Sequence, residues 1–191
     1  RFYGLLPGLL APPFIITGVL FHQVHLVETK AWTLTGFTAS YPLYAGSATL
    51  VALALGWLVD RYSAVQILPF YLLPLAIGLG LLGSSDALLV APVFMALLGC
   101  TAGGATLVLG ALWAELYGTT HLGAIRALTM ALLVLATAIA PGAMGWLIDQ
   151  GVTLDLQFKL MAVYTLACAL SFALLLPCLS KHRSPPMLVS R

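Results

Sequence analysis

Apolar stretches of roughly 20 residues, each followed by a short polar break, recur along the whole chain, and that is the length of helix needed to cross the hydrocarbon core of a bilayer. No other feature constrains the fold as much. Six such runs stand near residues 5–25, 35–58, 65–83, 87–113, 124–148 and 157–179. The breaks between them are His25 to Thr33, Asp60 to Ser63, Gly83 to Asp86, Glu115 to Gly123 and Asp149 to Asp155. Barrel strands would alternate apolar with polar residues, whereas these runs are apolar all round, so helices are expected. Composition closes the case against a soluble domain. Of 191 residues 61% are hydrophobic and 7% charged, against about 25% charged in an ordinary soluble domain. So few polar groups cannot cover a globule in water, but lipid solvates the excess apolar surface.

The charges set an orientation, because cytoplasmic loops carry the excess of Lys and Arg. With the N-terminus inside, the inner face receives Arg1, Arg61, Arg126, Lys181, Arg183 and Arg191, and the outer face Lys30 and Lys159. An even number of spans then leaves both ends cytoplasmic, with residues 181–191 as a basic, Pro-containing tail. The net charge of +2 is scattered between apolar runs, which excludes a nucleic-acid surface. Cys100, Cys168 and Cys178 lie in or near apolar runs without metal or redox spacing and read as small core residues. The chain starts at Arg1 with no signal-peptide pattern ahead of its first run, as expected of a piece of a longer protein.

Glycine and proline are frequent inside the runs, where they let backbones approach or bend. Gly99 and Gly103 form a GxxxG step, which is either a tight helix contact or chance in a glycine-rich chain. Gly56-Trp57-Leu58-Val59-Asp60 closes the second run, and Gly145-Trp146-Leu147-Ile148-Asp149 the fifth. If the runs form two triplets, both strings end a middle helix. Three spans per unit is odd, so the second copy would be inverted in the membrane.

Gly56-Trp57-Leu58-Val59-Asp60-Arg61 resembles the G-x-L-x-D-R signature between the second and third helices of a major facilitator half. The resemblance covers Gly56, Leu58, Asp60 and Arg61. Where that family continues with glycine and a basic run, this chain has Ser63-Ala64-Val65-Gln66, which fits the weaker copy usual in the C-terminal half. A second stretch, Glu115-Leu116-Tyr117-Gly118 running on to Arg126, resembles the family's connection between the fourth and fifth helices. The resemblance implies six helices as two inverted three-helix repeats over residues 1–180. It also implies a cytoplasmic latch of Gly56, Asp60, Arg61, Glu115 and Arg126, in which the four charges pair.

In that family the first, second, fourth and fifth helices of a half face the central cavity. Carried onto this chain, that nominates Thr17, His22, Gln23, Tyr41, Tyr44, Ser47, Thr101, Thr106, Trp113 and Thr137 as substrate-cavity residues. His22, His25 and Glu28 fall on one helical face but lack a further ligand, so no metal site is expected. No nucleotide, dinucleotide or heme motif is present, and no enzyme or cofactor is expected. An intramembrane serine protease would need a Gly-x-Ser-Gly turn, a mitochondrial carrier its threefold motif, and a channel a re-entrant loop; none is seen. The expectation is transport of a small solute by alternating access, as the C-terminal half of a secondary transporter in a bacterial plasma membrane. Its partners would be the substrate, the lipid bilayer and an N-terminal six-helix half. A proton or other ion gradient, or the substrate's own, would drive it. The alternative is a stand-alone six-helix permease or channel acting as a homodimer.

Overall fold

The computed structural model describes residues 2–180, with side chains to residue 177; Arg1 and the basic stretch from 181 lie outside the described residues. Every element among them is a helix. In chain order these are α1 (Phe2–Phe21), α2 (Gln23–Thr29), α3 (Leu34–Thr38), α4 (Tyr41–Arg61) and α5 (Ala64–Ile67), then α6 (Leu73–Leu82), α7 (Val90–Tyr117), α8 (Leu122–Asp149) and α9 (Leu154–Ser180). Five helical segments are long and apolar enough to cross a membrane: Phe2–Phe21, Leu34–Arg61, Val90–Tyr117, Leu122–Asp149 and Leu154–Pro177. This is an all-α chain with the helices of an integral membrane protein.

The third expected span, 65–83, is not a continuous helix. It divides into α5, a string of turns, and the ten-residue α6. Proline explains the division. Pro69 has no N–H, and its ring collides with the carbonyl four residues back. The chain passes the obstruction with tighter bonds, Phe70 N–H to the Ile67 carbonyl and Leu73 N–H to the Phe70 carbonyl. Pro74 then falls in the first turn of α6, where a missing N–H costs nothing.

The bundle has two ends. At one, the α2 region meets the loops before α7 and before α9; at the other, the α4–α5 turn meets the end of α7. The core follows this division as two buried clusters. Val19, Leu26, Phe37, Leu79, Phe94 and Phe158 fill the first end, and Leu9, Leu68, Tyr71, Leu112 and Phe172 the second. Large apolar side chains such as Phe70, Ile77, Val163 and Leu174 are instead exposed on the flanks, as a lipid-facing surface requires.

The helices pair selectively. α4 lies along α7 and α1 along α8, while α6 packs on both α7 and α9, and α9 on α1. Both long pairs run parallel and meet at glycine. A Cβ on Gly99 would collide with the Tyr44 carbonyl and Ser47 Oγ, and one on Gly103 with the Ala48 carbonyl. The GxxxG step is therefore a backbone-to-backbone contact between α7 and α4. In the other pair, a Cβ on Gly18 of α1 would strike Met144 Sδ of α8. Although α4 touches α7 so closely, none of its residues is fully buried, and α8 buries only Thr129, Leu133, Ala140 and Met144.

Candidate functional site

A cleft of about 440 Å³ opens between α1, α7 and α8. Pro12 and Pro13 of α1, Thr106 and Trp113 of α7, and Arg126 and Thr129 of α8 contribute to its lining. Its hydroxyls are already committed to the helices that carry them. Thr106 donates to the Ala102 carbonyl at 3.2 Å and Thr129 to the Ile125 carbonyl at 2.8 Å, the usual habit of threonine in an apolar helix. Two groups retain unused donor capacity. Trp113 is 1% exposed, and its indole N–H is buried without a hydrogen-bond partner among the described residues. Arg126 donates one guanidinium N–H to the Gly110 carbonyl of α7, leaving the rest of its fork free. No carboxylate lines the cleft. A larger cleft of about 540 Å³ between α1, α8 and α9 is apolar apart from Gln157 and Tyr164, and the Tyr164 hydroxyl already donates to the Pro7 carbonyl.

The end of the bundle that carries Asp60 is built differently from the expected four-charge cluster. Glu115 lies in the last turn of α7 rather than in a loop, a poor place for a negative charge against the helix dipole. Its carboxylate instead accepts from the N–H groups of Ala64 (2.9 Å) and Val65 (3.4 Å), the electropositive start of α5. Arg61 sits over the rings of Trp57 and Tyr62, 5.5 and 5.9 Å from their centroids. Asp60 is exposed, and Gly56 has open space beside it. Among the described residues Asp60, Arg61 and Arg126 thus form no ion-pair cluster with Glu115: Arg61 turns to aromatic faces and Arg126 to a carbonyl. Gly118 closes α7 at φ +69° and ψ −166°, a region that glycine alone enters freely. Ser63 precedes α5 at φ +113° and ψ +150°.

The opposite end holds a feature that the loop charges alone did not disclose. Lys30 has a side chain 1% exposed, and its Nζ lies 2.7 Å from Asp86 Oδ1 and 2.9 Å from Asp155 Oδ1. It also donates to the Ser85 carbonyl at 3.1 Å. The Trp32 indole N–H donates to the Asp86 carbonyl. One ammonium group therefore ties together the end of α2, the loop before α7 and the first turn of α9. The signal was available: once the spans are placed, those three segments share one face, and that face carries these charges.

The remaining cavity candidates are dispersed. The Tyr41 hydroxyl donates to Gln23 Oε1 at 2.6 Å, so these two are brought together across the first loop. His22 Nδ1 lies 3.0 Å from the Gly18 carbonyl at the break between α1 and α2. Ser47 donates to the Tyr44 carbonyl, Thr101 to Leu97 and Thr137 to Val134. Thr101 is wholly buried, while Thr17 and Tyr44 are half-buried. Only Thr106 and Trp113 of the ten line the cleft between α1, α7 and α8, and Arg126, expected in the latch, joins them there.

What fold and cleft define together is a helical membrane chain with a donor-bearing recess at the meeting of three helices. Comparison with family models, with curated proteins and with solved structures gave no match.

Proposed function

We propose that this chain is one six-helix half of a secondary transporter of the major facilitator type, moving a small solute by alternating access. The observation that carries the reading is the order of helix pairing. Take α1, α4 and α5–α6 as one triplet, and α7, α8 and α9 as the other. Exchanging the triplets turns the α4–α7 pair into α8–α1 and the α6–α7 pair into α9–α1, and leaves α6–α9 unchanged; all of these pairs occur. Two inverted copies of a three-helix unit pair in this way. The glycines obey the same exchange: in each pair the first helix of one triplet, through Gly18 or through Gly99 and Gly103, receives the middle helix of the other.

The Gly-Trp strings also agree. Each ends the middle helix of its triplet, at opposite ends of the bundle, and Trp57 and Trp146 are 61% and 62% exposed. In the resemblance, Ser63 stands first in the stretch that replaces glycine and a basic run, and its positive φ is one that glycine adopts without strain. The poorly buried α4 and α8 are helices the family turns toward the central cavity, where a second half would meet them. The same reading places both ends in the cytoplasm of a bacterial cell, the Asp60 end inside and the Lys30 end outside.

Accessibility of the cleft tests this without knowledge of the substrate. In the complete polypeptide with Cys100, Cys168 and Cys178 replaced, Thr106→Cys is expected to react with a membrane-impermeant maleimide in both right-side-out and inside-out vesicles. Asp60→Asn is expected to shift the ratio of the two rates at unchanged protein level. Failure to label from either side would place Thr106 against lipid or in static packing and overturn alternating access.

A further inference from the structure

We infer that the cleft between α1, α7 and α8 is a binding site for a small amphiphilic monoanion, a carboxylate carried on an apolar body. This rests on reading the cleft as part of a solute path and names the kind of solute. Arg126 is the first ground. The carbonyl that it holds belongs to Gly110, seven residues before the end of α7, which is about 10 Å along the helix axis. Arginines near helix ends usually extend outward to the polar interface, but this one is held along the wall of the cleft. It is exposed and has no carboxylate partner among the described residues, so its remaining N–H groups are open to an anion.

The chemistry of that group is the second ground. A guanidinium is a donor only, and its one hydrogen bond among the described residues goes to the Gly110 carbonyl. A ligand that is itself a donor or a cation gains nothing from the remaining N–H groups, whereas a carboxylate accepts from them. Trp113 contributes to the same wall, with its indole N–H closed off from the cleft. The third ground is the remaining wall. Pro12, Pro13, Ile16, Leu109, Met130 and Leu133 are apolar, and open space lies beside Gly110. About 440 Å³ is within the usual range for a small-molecule site. One positive charge in an apolar recess matches one negative charge on an apolar body; a polyanion would leave charge uncompensated.

The test uses the complete polypeptide in nanodiscs of phosphatidylcholine alone, so that no anionic lipid competes, with calorimetric titration of benzoate, benzamide and benzylammonium. Benzoate is expected to bind, and the other two to bind at least about tenfold more weakly, as loss of a charge-assisted hydrogen bond implies. Arg126→Gln should weaken benzoate by about tenfold or more. Arg126→Lys should weaken it less, since charge is kept and the fork is lost. Equal binding of benzamide or benzylammonium overturns the inference, as does unchanged benzoate affinity in a folded Arg126→Gln variant. If benzoate binds selectively while Thr106→Cys is labelled from one side only, the anion site stands and transport falls. If labelling is two-sided but no preference for the anion is found, the anion site falls and transport stands.

Discussion

Ser63 carries more strain than any other residue described near the Asp60 end. Its φ of +113° with ψ of +150° is a region that only glycine enters freely, and other residues there cost about 1–3 kcal/mol. The turn persists because both of its sides are anchored: the Ser63 N–H bonds the Val59 carbonyl, and Glu115 holds the next two amides. Ser63→Gly is therefore expected to stabilise the protein by about 1 kcal/mol, since relief of strain outweighs the greater backbone entropy of glycine in the unfolded chain. Reversible denaturation in detergent measures it, and a loss of stability would show that the serine side chain contributes more than its backbone costs. Glu115→Gln at the same turn keeps the acceptor oxygen but removes the charge, so it should cost about 1 kcal/mol by the same measurement.

At the scale of elements, the parallel contact of α7 with α4 rests on two absent side chains. Gly99→Ala and Gly103→Ala would each press a methyl group onto a carbonyl of α4, and a backbone cannot move aside as a flexible side chain can. Each is expected to destabilise by about 1–3 kcal/mol, whereas Gly110→Ala and Gly46→Ala, with nothing near their added Cβ, should be neutral or mildly stabilising. Thermal unfolding of the four variants separates a specific contact from a general intolerance of α7 and α4 to alanine. Helix existence was legible in the sequence because apolar length is a local property. The division of the 65–83 run was less so: Pro69 was visible, but a proline bends some membrane helices and interrupts others, and the bonds the neighbouring chain can offer decide which. The GxxxG step was visible as spacing, but only the partner helix distinguishes contact from coincidence. Of the site, Thr106 and Trp113 were found through the resemblance. Arg126 was assigned to the latch because sequence position near a helix start does not say which way a long side chain turns.

For the whole molecule, the Lys30 cluster joins the end of α2, the loop before α7 and the first turn of α9, which lie far apart along the chain. Each of its charges alone looks like an ordinary loop residue, so the cluster emerges only when the spans are stacked. Its energetics follow from burial. The Lys30 side chain is 1% exposed, whereas Asp86 and Asp155 are 76% and 38% exposed, so the lysine is the group that depends on its partners. Replacing both aspartates by asparagine is expected to cost about 3–5 kcal/mol by leaving a buried cation uncompensated. Adding Lys30→Met to that double variant should recover most of the loss, because an apolar chain of similar length is at home in the site. Recovery below half, in thermal unfolding, would mean that the loops are held by other contacts and that the ammonium is incidental.

The same lysine gives the bundle an order of assembly. During synthesis Lys30 leaves the ribosome soon after α1, but Asp155 arrives only as α9 begins. Until then the cation has at most one of its two counter-charges, and the loops that will enclose it are not in place. Completion of the cluster therefore reports that α9 has inserted in the correct direction, since a reversed α9 would carry Asp155 to the other side of the membrane. A chain halted or misinserted before that point leaves the ammonium with Asp86 as its one counter-charge of the two, a visible mark of an incomplete bundle.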